Sequence, residues 1–172
     1  GAHMLFHSFH FLHIVFAATG TLITFYRYSK NVLLGLVVGV MCSITFCTLS
    51  DAIIPYLAGR MLGVHMQFHL CFISELSNII PFLVLGLLNG FVMGRYHHGH
   101  HESYSVFSHF VHILISSFAS TFYLVANGLP DWYSKIGIIF LFLIIAVVVP
   151  CTLSDVVVPM AFARVGKRNE RH

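Results

Sequence analysis

Charge is scarce in this 172-residue chain: 9% of its residues are Asp, Glu, Lys or Arg, and only six are acidic. Tryptophan occurs once and cysteine four times, against 58% hydrophobic residues and a mean hydropathy of +0.86. So little charge excludes an ordinary soluble domain, in which about a quarter of residues are charged. It also excludes a disordered polyelectrolyte. The net charge of +3 is spread over loops and is no nucleic-acid-binding patch, so no nucleic acid is expected as a partner. Cys42, Cys47, Cys71 and Cys151 all lie in apolar runs without the spacing of a disulfide framework. They read as small buried residues. A phosphate-binding glycine loop and a Ser-His-Asp arrangement in motif context are also absent.

What the chain has instead is long apolar runs and 13 histidines. Residues 1–4, Gly-Ala-His-Met, read as a tag and cloning remnant. A membrane-spanning helix needs about 20 mostly apolar residues. Five stretches satisfy this, at about 5–28, 31–62, 66–94, 104–126 and 132–164. The expected fold is an all-α integral membrane protein of five transmembrane helices. The second and fifth stretches are too long for a straight crossing, and Pro55 and Pro159 are expected to interrupt them. Asp51 or Ser50, and their counterparts Asp155 or Ser154, could cap the helical piece after each break.

Two words recur. Cys47-Thr48-Leu49-Ser50-Asp51 returns unchanged as Cys151-Thr152-Leu153-Ser154-Asp155, each copy followed at equal distance by a proline and by Arg60 or Arg164. Upstream, His10-Phe11-Leu12-His13-Ile14 answers His109-Phe110-Val111-His112-Ile113. The chain therefore divides into a first repeat at 5–94, a His-rich loop at 95–103, a second repeat at 104–166 and a basic tail at 167–172. Three spans in the first half send the second half into the membrane from the other face, an inverted-topology repeat of the kind found in transporters. The second half has only two spans. The surface left by the missing one suggests a homodimer as a possible assembly, with the lipid bilayer as the other partner.

Lysine and arginine fix the expected orientation. Arg27, Lys30, Arg95, Arg164, Lys167, Arg168 and Arg171 fall on the C-terminal side, against only Arg60 and Lys135 on the other. The positive-inside rule then places the C-terminus and the His-rich loop in the cytoplasm and the N-terminus outside.

Ionisable groups inside lipid-spanning helices are costly and mark functional sites. At about 1.5 Å per residue, His10 and His13 sit in the outer part of the first helix, and Asp51 returns to the same level. His65 and His69, read as i and i+4 on a third helix, and Glu75, read as well inside that helix, are expected to join them. His109, His112 and Asp155 form the matching set near the inner face. Imidazole and carboxylate together suit zinc, manganese or iron, and Asp can alternatively orient a ligating histidine. Cys47 and Cys151, one turn before the aspartates, can add a soft ligand. Arg60 and Arg164 read as interfacial anchors or as partners of the aspartates.

The loop His97-His98-Gly99-His100-His101-Glu102 is a compositional signal for metal affinity and supplies a possible loop site at His97, His98, His100 and His101. A His-rich loop between spans three and four resembles that of the zinc/iron permeases. The paired His-Asn and His-Glu motifs of that family are absent, and no family membership follows. The loop also satisfies the His-x-x-His-His spacing of membrane di-iron oxygenases, which need several such boxes.

These readings point to a small polytopic transporter or channel for a divalent transition-metal ion, with transport or binding ranked ahead of catalysis. The alternatives are a haem-binding redox protein with two helix histidines as axial ligands, a membrane di-iron enzyme, and a non-catalytic scaffold whose polar residues only hold helices together.

Overall fold

The computed structural model describes residues 1–69, 74–96, 101–129 and 131–169. Among these residues every regular element is helical, and five helices are long and apolar enough to cross a membrane. The first crossing is α1 (Ala2–Tyr28). The second runs through α2 (Val32–Thr48), a π-helical turn at Leu49–Ile53 and α3 (Ile54–Met61). The third is α4 (Leu76–Tyr96), and the fourth is α5 (His101–Ala126). The fifth follows a 3-10 turn at Trp132–Lys135. It consists of α6 (Ile136–Leu143), α7 (Val149–Thr152) and α8 (Val158–Asn169), joined by π turns at Ile144–Val148 and Leu153–Val157.

The first crossing is the hub. Of its most apolar window 67% is buried inside the protein, against 22–33% for the other four crossings. Every residue of α1 from Ala17 to Tyr26 is buried, so this helix is enclosed on all sides. Apolar side chains facing outward, among them Leu33, Met41, Leu85, Leu88, Phe107 and Phe140, form the surface suited to lipid.

Glycine lets α4 lie directly on α1. A Cβ at Gly86 would stand 2.6 Å from the Val15 carbonyl oxygen, and one at Gly90 would stand 2.9 Å from Thr19 Cα. Gly94 continues the row against Tyr26 and Leu22. Without a hydrophobic drive between helices in lipid, close backbone approach through small residues is the main source of packing energy. Thr19 donates to the Gly86 carbonyl at 3.1 Å across the same contact.

α5 packs along α1 in the opposite direction. Phe6 meets Tyr123, Phe9 meets Phe118 and Phe122, and His13 meets His112, so partners on α5 fall as α1 advances. One end of the bundle gathers basic residues, where Arg95 Nη1 donates to the Lys30 carbonyl at 2.9 Å and Gly166 packs by Leu34 and Ser29. At the other end, the Gln67 amide donates to the Asn127 carbonyl at 3.0 Å.

Two elements differ from the expectation. The stretch after α3 is not the start of a third helix. Gly63, at φ +74°, ends the helix in the left-handed region, and the chain then runs without helix through His69. His65 and His69 therefore share no helical face. The residues before Pro55 and Pro159 do not form free ends capped by Ser or Asp. Instead, the Ile54 and Val158 amides bond back five residues to Leu49 and Leu153, and the helix continues into the proline. A wider turn accommodates the hydrogen bond that a proline cannot donate.

Candidate metal centre

The π turns at Leu49–Ile53 and Leu153–Val157 each place an aspartate at their middle, and both aspartates point into the bundle. Asp51 Oδ2 accepts from His10 Nδ1 at 2.8 Å and from His13 Nδ1 at 2.6 Å. Asp155 Oδ2 accepts from His109 Nδ1 at 3.1 Å and from His112 Nδ1 at 2.6 Å. Asp51, His13 and His112 are essentially inaccessible to solvent. A buried carboxylate is tolerable when such donors surround it.

The two sets meet. His13 Nε2 faces His112 Nε2 at 2.5 Å, and Cys151 Sγ lies 3.7 Å from His13 Nε2. The sequence reading placed the sets near opposite faces, and helix length explains the difference. α1 starts at Ala2 and α5 at His101, both earlier than expected, so each of these histidines stands eleven residues into its helix. At 1.5 Å per residue that is about 17 Å, near the midpoint of a crossing.

This arrangement restricts the protonation states. With Nδ1 donating to an aspartate, each neutral ring carries its lone pair on Nε2. Two lone pairs facing each other do not form a hydrogen bond, so a cation or proton between them is the arrangement that satisfies both. Two imidazole nitrogens and a thiolate, each imidazole braced by a carboxylate, make a donor set for a borderline or soft metal ion. Tetrahedral zinc with bonds of about 2.0–2.1 Å to nitrogen needs its nitrogens about 3.3 Å apart. The rings thus have to part by somewhat under 1 Å to admit it, while the sulfur already stands at a suitable separation. Three groupings bring potential ligand atoms within 4.8 Å of one another: His13, His112 and Cys151; His10, His13 and Asp51; and His109, His112 and Asp155.

Supporting hydroxyls surround the aspartates. Ser116 and Ser50 donate to Asp51 Oδ1 at 2.9 and 3.0 Å, and Ser120 donates to the Ser50 carbonyl at 2.9 Å. On the other side Thr21 donates to the Ser154 carbonyl at 3.0 Å. Gly20 is required beside Asp155, because a Cβ there would stand 2.7 Å from Oδ2. These residues escaped the sequence reading, although Thr21 and Ser120 each stand eleven residues after the first histidine of their repeated word.

Other expected residues lie elsewhere. Glu75 is not inside a helix: it precedes α4, where its carbonyl accepts from the Asn78 and Ile79 amides and its carboxylate from Asn78 Nδ2. The α-helix starts later than the apolar run implied, which moves this acid to the helix end. His69 packs edge-on to His7 with centroids 5.7 Å apart, not against His10 or His13 as a haem pair would require, and His65 is exposed in the same non-helical stretch. The His13 and His112 rings, with centroids 4.5 Å apart, leave no gap for a porphyrin between them. Arg60 and Arg164 are exposed, while histidines partner the aspartates. His97, His98 and His100 lie outside the described residues, as does the side chain of His101.

Compared with models of known protein families, with characterised proteins and with solved structures, the chain matches none. The reading of the centre therefore stands on its own geometry.

Proposed function

We propose that this chain is a multi-pass membrane transporter or channel for a divalent transition-metal ion, built as two inverted halves with the N-terminus outside and the C-terminus cytoplasmic. The observation that supports it best is the pair of facing Nε2 atoms on His13 and His112, with Cys151 Sγ beside them. A buried polar group needs a complementary partner, and these two facing nitrogens find one when a metal ion or a shared proton lies between them. In this reading His13, His112 and Cys151 hold the ion. Asp51 and Asp155 fix the rings and balance charge, while His10 and His109 complete the carboxylates' shells. The thiolate favours zinc or iron(II) over manganese. A site at mid-membrane, reached by one helix from each half, is where alternating-access proteins place their cargo.

The test uses tag-free protein. Metal bound after purification is measured by inductively coupled plasma mass spectrometry, and zinc, iron(II) and manganese flux is followed in proteoliposomes. Near-stoichiometric metal, flux above empty vesicles, and loss of both in the His13→Ala/His112→Ala variant are expected. Wild-type protein that binds none of the three ions and moves none of them refutes the proposal and leaves helix packing as the role of these residues.

A further inference from the structure

The inner face of α5 carries Ser105, Ser108, His112, Ser116 and Ser120 at helical spacing. Ser116 and Ser120 spend their hydroxyls on Asp51 and Ser50. Ser108 does not: it is 5% exposed, and its Oγ has no hydrogen-bond partner among the described residues. Asp155 Oδ1, on a side chain 3% exposed, is in the same position. Polar atoms buried this deeply without partners are rare, and each calls for a water or an ion.

An opening lies at the basic end of the same two helices. A pocket of about 100 Å³ is lined by Ser105, Val156, Met160, Thr24 and Arg27 among others. Val156 follows Asp155, and Ser105 stands one turn before Ser108, which stands one turn before His112. Each step is about 5 Å. The pocket thus opens at the basic end beside Ser105 and Val156, and Ser108 and Asp155 lie outside its lining, one step further along the same two helices. Arg27 places positive charge at the rim, but its guanidinium carbon sits 5.7 Å from the Tyr28 ring centroid at an exposed position, where solvent screens it.

The corresponding positions of the first half are aromatic. Since His10 and His13 answer His109 and His112, Phe6 answers Ser105 and Phe9 answers Ser108. Phe6 is wholly buried, stacked 5.6 Å from His10 and edge-on to Tyr123 at 5.2 Å. Phe9 lies against Phe118 and Phe122.

From this difference we propose that Ser105, Ser108 and Asp155 Oδ1 line a hydrated route by which a hydrophilic cation passes between the basic end and His112, while Phe6 and Phe9 close the other end. The identity of the travelling ion rests on the metal reading above; the route does not.

Thiol accessibility tests it. Cys42, Cys47, Cys71 and Cys151 are replaced by alanine, and single cysteines are introduced as Ser105→Cys, Ser108→Cys and Phe9→Cys. Protein in nanodiscs, open to solvent on both faces, then reacts with a small cationic methanethiosulfonate. Ser108→Cys is expected to react at least tenfold faster than Phe9→Cys. Equal or slower reaction at Ser108→Cys overturns the route. If the multiply substituted chain fails to elute as a folded species, Ser108→Leu in the otherwise unchanged chain replaces it. Filling the route is expected to slow zinc uptake at least fivefold in stopped flow with a zinc indicator, and an unaltered rate overturns the proposal. Fast labelling at Ser108→Cys, with no metal bound by the chain that retains its native cysteines, sustains the route and sinks the metal site. Zinc binding with a slow Ser108→Cys does the reverse.

Discussion

The two aspartates carry the same five-residue word, yet their surroundings differ. Asp51 receives two imidazoles and two hydroxyls, so both of its oxygens are occupied. Asp155 receives two imidazoles on one oxygen and, among the described residues, nothing on the other. The difference traces to single positions on the hub helices. Ser116 stands four residues before Ser120 and Ala17 stands four before Thr21, so by the repeat Ala17 answers the Ser116 that donates to Asp51, and Ser154 pairs with Thr21 where Ser50 donates to Asp51. Identical sequence words thus yield one carboxylate that is saturated and fit only to orient its histidines, and one that keeps a lone pair for a mobile partner. Function in a duplicated chain resides in what each copy packs against.

The contrast makes the Asp51 side the more damaging to disturb. Asp51→Ala strands two buried imidazoles and two hydroxyls, and removing one partner of such a buried set costs about 3–5 kcal/mol. Asp155→Ala strands fewer donors and is expected to lower the unfolding temperature by a smaller amount, measured in the same detergent. An equal loss for both would mean that the hydroxyls beside Asp51 contribute nothing.

Next in size is Gly20→Ala. A Cβ 2.7 Å from Asp155 Oδ2 forces the carboxylate away from His112, with an overpacking cost of about 1–3 kcal/mol and weaker metal binding. Unaltered stability and affinity would show that α1 yields at this point. The cysteines give a third comparison. Cys151→Ser is expected to weaken zinc binding at least tenfold, about 1.4 kcal/mol, whereas Cys47→Ser changes it little; equilibrium dialysis that ranks them the other way moves the ion towards the first half. The smallest effect sharpens the comparison by erasing it. Ala17→Ser offers Asp155 Oδ1 the donor it lacks and is expected to stabilise by about 0.6 kcal/mol, a typical hydrogen bond between membrane helices, while slowing metal passage. A drop in stability would show that Ala17 does not face Asp155 as Ser116 faces Asp51.

Five crossings, the recurring words and the His/Asp members inside those words could be read from the sequence, because apolar length and repetition are local signals, whereas His65, His69 and Glu75 were read into the first set and do not join it. Depth could not. His13 and His112 each stand eleven residues into their helices, and the antiparallel register of α1 against α5 brings them together, so the two sets fuse. Nor could the fate of the segment around His65, where one glycine at positive φ outweighs the apolar character of the residues that follow. The row of glycines at 86, 90 and 94 that seats α4 on α1 was not read from the sequence, and the structure shows it.

The π turns at Leu49–Ile53 and Leu153–Val157 have a bearing on how this chain can vary. A π turn holds one residue more than an α turn without lengthening the helix by a full step. Deleting that residue therefore restores ordinary winding and leaves the facing of what lies beyond nearly unchanged. A deletion in the α-helical part of the same crossing instead rotates everything beyond it by about 100°, swinging Pro55 and Arg60, or Pro159 and Arg164, onto another face. Each crossing thus tolerates the loss of one residue at its π turn in phase, though not in chemistry, because that turn carries the aspartate.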